Sequence, residues 1–166
     1  MGIIVIKIKK SGLDMRVYLD NCCYNRPYDD QDQLRIFLES QAKLAIQSEI
    51  RYGRLELAVS YWSFYENSMN PSDARRRQIY KFLKRYATVY ISEALDDKVI
   101  QMAFEIEKIG IKHKDACHVA CAIISHSEYL ITTDDRLLKY KTDEIELINP
   151  MTMINVLEEK YGNDNY

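Results

Sequence analysis

Glycine is scarce in this sequence. Only five occur in 166 residues, and none falls into GxGxxG, GxxxxGK[ST] or GxSxG. Dinucleotide oxidoreductases, P-loop NTPases and serine hydrolases therefore lose the glycines that let a backbone approach a phosphate or turn at a nucleophile. Cysteine is almost as sparse. Cys22, Cys23, Cys117 and Cys121 are too few and too irregularly spaced for a disulfide framework in a chain of this length. Cys117, His118 and Cys121 lie on one helix and raise zinc as an alternative. Cysteines four apart are not the usual zinc-knuckle spacing, so these thiols read as small buried hydrophobes. Long apolar runs are missing as well: Ile3 to Ile6 is too short for a signal-peptide core or a membrane span. The expectation is a cytoplasmic protein with no membrane contact. A formal net charge of -2 gives no general attraction to polyanions, so any affinity for nucleic acid has to be local.

What is present is an ordinary globular composition, 47% hydrophobic and 29% charged, in a chain of single-domain size. Residues 1–14 read as an extension or the product of an upstream start codon, with a weak strand pattern from Ile3 to Lys10. Residues 15–166 read as one domain. Strands are predicted at 16–19, 55–59, 88–92, 129–133 and 145–148. Between them come helices at about 31–52, from Tyr61, from Pro71-Ser72, over 93–109, at the start of the segment from 111 with Asp115 in its first turn, from Arg136 and over 150–161. The first long helix is expected to turn Leu34, Phe37, Leu38, Leu44, Ala45 and Ile50 inwards, with Asp29, Asp30 and Asp32 as caps and Gly53 as its stop. Residues 21–27 read as a polar loop punctuated by Pro27. Strands alternating with helices imply an α/β protein with a mostly parallel sheet covered on both faces.

Acidic residues recur where that architecture places ligands, at the carboxyl edge of the sheet. Asp20 closes the first strand, and Asp134 and Asp135 close a later one. Asp115 opens the helix in which Ala116, Val119, Ala120, Ile123 and Ile124 form the apolar face. Glu66 lies on a helix among Trp62, Tyr65 and Met69, where a half-buried carboxylate requires a cation, a donor or a metal. Carboxylates gathered this way repel unless a hard cation neutralises them, and oxygen donors suit Mg²⁺ or Mn²⁺. The chemistry favoured is phosphodiester hydrolysis, in which the metal activates water and no protein nucleophile is needed. Arg75, Arg76, Arg77, Lys81, Lys84 and Arg85 read as a solvated face that could also meet phosphates, and thirteen tyrosines offer stacking surfaces.

In Tyr18-Leu19-Asp20-Asn21, Glu66, Lys112 to Ala122 and Leu130 to Leu138, the sequence resembles the PIN domain family, including the VapC-type toxin ribonucleases. The likeness runs from about Met15 to Pro150. It implies a three-layer α/β/α sandwich, Mg²⁺- or Mn²⁺-dependent endoribonuclease activity, and metal ligands at Asp20, Glu66, Asp115 and one of Asp134 and Asp135. Thr133 would orient substrate or carboxylate, and Asn21 would bind substrate or shape the turn. A pattern of threonine, any residue, acid fits Asp135 after Thr133 and Asp134 after Thr132 equally. His118, one turn after Asp115, reads as a neutral imidazole anchoring its helix, with general-base duty as the alternative. The resemblance further implies an RNA substrate, a cognate antitoxin whose arginine can enter the acidic crevice, and a homodimer paired through helices. A catalytically silent PIN-like module binding RNA or a partner, and a nuclease acting on DNA, stand as alternatives.

Overall fold

A computed structural model describes residues 15–162. The expected extension at 1–14 and the strand from Ile3 to Lys10 lie outside the described residues. The chain runs β1 (Met15–Leu19), α1 (Asn21–Asn25), α2 (Leu34–Arg51), β2 (Leu55–Ser60), α3 (Tyr61–Ser68), α4 (Asp73–Tyr86) and β3 (Ala87–Ile91). It continues through α5 (Asp96–Glu107), α6 (His113–Ile124), β4 (Tyr129–Ile131), α7 (Asp135–Leu138), β5 (Glu146–Ile148) and α8 (Pro150–Tyr161).

The five strands form one sheet in the order β3-β2-β1-β4-β5, and every neighbouring pair is parallel. Because side chains alternate along a strand, β1 sends Met15, Val17 and Leu19 to one face and Tyr18 to the other. The first face packs on Ile46 and Ile50 of α2, Ile79, Phe82 and Leu83 of α4, and Met153 and Leu157 of α8. The second packs on Val99 and Ala103 of α5 and on the run Ala116 to Ala122 of α6. The alanines let α6 lie close to the sheet, and the result is the three-layer α/β/α sandwich expected from the sequence. On the second face Arg16 and Glu56, opposite one another in the β1–β2 register, form a buried ion pair of 2.8 Å. Arg16 also donates to Ser125 O at 2.6 Å, so its charge is well partnered.

Three expectations about the segment after β1 are corrected. Residues 21–28 are helical, as α1 followed by a single 3₁₀ turn with Pro27 in its first positions, where the missing N–H does no harm. Asp29, Asp30 and Asp32 do not cap α2. Asp29 pairs with Arg26, Asp30 accepts from the Asp32 N–H within its own turn, and α2 starts at Leu34 after Gln33. The inward face of α2 is also different. Leu34, Phe37, Leu38, Leu44 and Ala45 are exposed, Leu34 by 71%, and of the six expected only Ile50 is buried. The helix instead turns in Ala42, Ile46 and Ile50 together with Glu39, Ser40, Lys43 and Gln47. Polar partners set this rotation: Glu39 accepts from Asn149 at 2.7 Å and from Arg35 at 3.1 Å, and Ser40 donates to Arg26 O. No helix of the described residues is long and apolar enough to cross a membrane.

Candidate metal centre

The strand order changes direction at β1: β2 and β3 lie on one side, β4 and β5 on the other. A crevice opens beyond the carboxyl ends of strands at such a point. Asp20 follows β1 and Asp134 follows β4, its direct neighbour. Asp20 is tied down on every side. Its N–H donates to Ile131 O at 2.9 Å, and Oδ1 accepts from the Asn21 N–H at 2.8 Å. Oδ2 accepts from Thr132 Oγ1 at 2.9 Å and from the Cys22 thiol at 3.3 Å. Thr132 Oγ1 in turn accepts the Asp134 N–H at 3.1 Å, so a single hydroxyl fixes the ends of both strands. The hydroxyl that orients a carboxylate is therefore that of Thr132, while Thr133 Oγ1 is buried with no hydrogen-bond partner among the described residues.

Two helices complete the crevice. Ser60 caps α3, its side chain and that of Ser63 exchanging bonds with each other's backbone, and this aims Glu66 two turns later. Glu66 Oε2 meets Nε2 of the buried His118 at 3.1 Å, and Oε1 meets Lys114 Nζ at 3.0 Å. His118 Nδ1 lies 2.6 Å from the Tyr18 hydroxyl, which reaches Ser60 at 2.7 Å and Ser63 at 3.1 Å. This polar chain crosses from β1 through α6 to α3 and gives His118 the geometry of an anchor. Burial opposes a charged His118, but the bond to Glu66 and the charges of Asp20, Glu66 and Asp115 outweigh it and raise its pKa. Burial likewise acts against the Glu66 carboxylate, yet His118 and Lys114 overcome it and hold its pKa below the ordinary value.

Asp115, in the first turn of α6, behaves in the opposite way. Burial and then the charges of Asp20 and Asp134 push its pKa up, with only His118 relieving it. Asp135 does not belong to this cluster. It is exposed, and Arg35 holds it with bonds of 2.8 and 2.6 Å that lower its pKa. Asp115 and Asp134 thus lie near enough to Asp20 for their charges to act on one another, and oxygen donors of this kind suit a hard divalent ion such as Mg²⁺ or Mn²⁺, but among the described residues neither falls within the tightest donor group. One donor atom each of Asp20, Glu66 and His118 falls within 4.8 Å of the others. Glu66 would share its oxygens between such an ion and the bonds to His118 and Lys114.

The zinc alternative on α6 does not assemble. Both ring nitrogens of His118 are engaged by Tyr18 and Glu66, and burial pushes the Cys117 and Cys121 thiols up to about 12, against the thiolate that zinc requires. Sequence reasoning assigned no role of their own to four participants: Tyr18, Cys22, Lys114 and Thr132. Two of them left a signal, Lys114 as a cation beside Asp115 at a helix start and Thr132 through its spacing to Asp134. A cleft of about 290 Å³ borders the cluster, lined among others by Asn21, Asn25, Glu66, Arg75 and Lys114.

No family model and no curated protein matches the sequence. Among solved structures, a chain of VapBC2 from Rickettsia felis, in a complex with a DNA fragment from their promoter, superposes with a TM-score of 0.51 at 13% identity, covering 81% of this chain and 98% of that one. A chain of FitAcB from Neisseria gonorrhoeae gives 0.46 at 15% identity, covering 81% and 97%. The first likeness shows the fold, and the sandwich is PIN-like.

Proposed function

We propose, with the PIN-like fold as the premise, that this chain is a metal-dependent endoribonuclease acting in the cytoplasm as the toxin of a type II toxin-antitoxin pair. The observation that carries the reading is the meeting of donor atoms of Asp20, Glu66 and His118 within 4.8 Å at the sheet's switch point, beside Asp115, whose pKa is raised by burial and then by the charges of Asp20 and Asp134. Three crowded carboxylates raise the free energy of the metal-free site, which is worth retaining only where a cation is bound. Bound there, Mg²⁺ or Mn²⁺ would lower the pKa of a water molecule and offset charge on the phosphate. Thr132 holds Asp20 and the Asp134 backbone in register for that ion, while Lys114 and Arg75 face the neighbouring cleft, where a polynucleotide's phosphates would need them. Asn21 lines the same cleft and suits contact with the substrate.

The likeness to a chain of the VapBC2 complex supports a cognate antitoxin as partner, and the exposed apolar stripe of α2 offers a surface for it or for a second copy of this chain. A second reading, a silent RNA-binding module, is favoured by one observation: Glu66 is already neutralised by Lys114 and His118. Cleavage of a mixed RNA pool in Mn²⁺ or Mg²⁺, with single-stranded DNA in parallel, separates these readings. Cutting of RNA by the wild type, abolished by EDTA, by Asp20→Asn and by Asp115→Asn, is the expected result. Binding without cutting would select the silent module. Cutting that persists in both variants would expose a contaminant, and cutting confined to DNA would change the substrate.

A further inference from the structure

A second groove, of about 650 Å³, lies between α3, α4 and β3. Its lining includes Phe64, Tyr65, Asn67, Arg77, Tyr80 and Lys81. The rings of Tyr80 and Tyr90 both meet Phe64 nearly edge-on, at 5.6 and 5.8 Å between centroids, which fixes them in place. Tyr80 nevertheless stays 48% exposed and Tyr65 54% exposed. Tyr65 is held in turn by Trp62, edge-on at 5.6 Å between centroids, so two large rings, Tyr65 and Tyr80, are held in position and left open to solvent, where they suit a flat ligand.

The polar groups of the groove point to the rest of that ligand. Arg77 and Lys81 stand one turn apart on α4, both exposed, and neither makes a hydrogen bond or ion pair with any described residue. Glu93 is the one carboxylate of the lining. Asn67 is 1% exposed, and its Nδ2 donates to Arg76 O at 2.9 Å. A carbonyl can only accept, so this bond sets the orientation of the amide. Oδ1 is then left as a buried acceptor with no donor, which costs stability unless a ligand supplies an N–H. The groove also adjoins the metal centre along the chain, since Tyr65 and Asn67 flank Glu66 on α3.

We propose that this groove is a nucleotide subsite. It takes one unpaired base of the RNA strand against Tyr65 and Tyr80, neutralises the flanking phosphates with Arg77 and Lys81, and presents Asn67 Oδ1 to an N–H on the base edge. The proposal rests on reading the chain as a ribonuclease and names where its substrate binds outside the cutting centre. Exposed bases of single strands are recognised through stacking on aromatic rings together with backbone charge, which is the combination found here.

The test is fluorescence anisotropy of a labelled, mixed-sequence single-stranded RNA with the full chain, in Ca²⁺ and again in EDTA. Tyr80→Ala is expected to weaken binding roughly tenfold, while Tyr80→Phe keeps the ring and the affinity. Arg77→Gln with Lys81→Gln is expected to lower the slope of log affinity against log salt by about 1.4, two phosphate contacts' worth for a single strand. All three positions are exposed, and circular dichroism verifies the fold of each variant. Affinity and slope unchanged in every variant would overturn the proposal and assign the groove to a protein partner; a wild type that binds no RNA in either condition would overturn it too. Failure of the ribonuclease reading looks different. RNA would then bind and depend on Tyr80, but Mn²⁺ would elicit no cutting. Conversely, cutting lost in Asp20→Asn with unchanged KM in the groove variants would sink the subsite and leave the nuclease.

Discussion

Arg35 grips Asp135 through two hydrogen bonds, of 2.8 and 2.6 Å, and this pairing separates the roles of two adjacent acids that the sequence leaves equivalent. Asp134 raises the pKa of Asp115, and Asp135 is satisfied elsewhere. Asp134→Asn is therefore expected to lower Mn²⁺-dependent cutting by roughly 100-fold or more, and Asp135→Asn by no more than a few-fold. Single-turnover cleavage by the two variants decides it, and a reversed order of loss would place Asp135 at the metal.

Thr132 is a positioning residue whose effect should pass through the metal. Thr132→Val removes the bond to Asp20 Oδ2 and the acceptor for the Asp134 N–H. Loss of roughly 10- to 100-fold in Mn²⁺ affinity is expected, largely restored in Thr132→Ser, which keeps the hydroxyl. Calorimetric titration of Mn²⁺ reads this without relying on turnover. Equal affinity in wild type and Thr132→Val would remove Thr132 from the site's support.

Lys43 gives a stability prediction remote from the metal. Burial lowers its pKa to about 8, and its ammonium lies 5.6 Å from the centre of the Tyr24 ring with no carboxylate within ion-pair distance among the described residues. Between pH about 8 and about 10.4 the unfolded chain binds the extra proton, so this group makes stability rise with pH across that window. Below it the burial penalty on the charge is present in full. Lys43→Met should thus stabilise the protein at pH 7 by about 1 to 3 kcal/mol, with the advantage shrinking towards pH 10. Urea unfolding at both values tests the sign, and a destabilised variant at pH 7 would mean that the contact with Tyr24 outweighs desolvation.

The apolar stripe of α2 predicts association. Leu34, Phe37, Leu38 and Leu44 follow helical spacing on a surface that faces solvent, and contiguous exposed patches of this kind mark interfaces. The wild type is expected to exceed its monomer mass of 19.6 kDa in light scattering, and Phe37→Lys with Leu38→Lys to return it there. A monomeric wild type would instead leave the stripe to a different partner chain.

Local pattern along the chain was enough for a parallel sheet covered on both faces, for the position of nearly every strand and helix, and for acids at the ends of β1 and β4. Those features are written in local periodicity and in single residues such as Ser60, Ser72, Asn149 and Pro150 at helix starts, where neighbours in the chain are also neighbours in space. Tertiary structure alone decided which acid of the 134–135 pair joins Asp115, because Arg35 lies a hundred residues away. The same holds for the assignment of Thr132 rather than Thr133 to Asp20, and for the link from Tyr18 through His118 to Glu66. The rotation of α2 was undecided for a related reason. Both of its faces carry apolar side chains, and the choice fell to partners for Glu39 and Ser40 contributed by Asn149 and Arg26 from distant parts of the chain. A buried polar group must be matched by whatever the fold brings beside it, and a linear pattern does not contain that information.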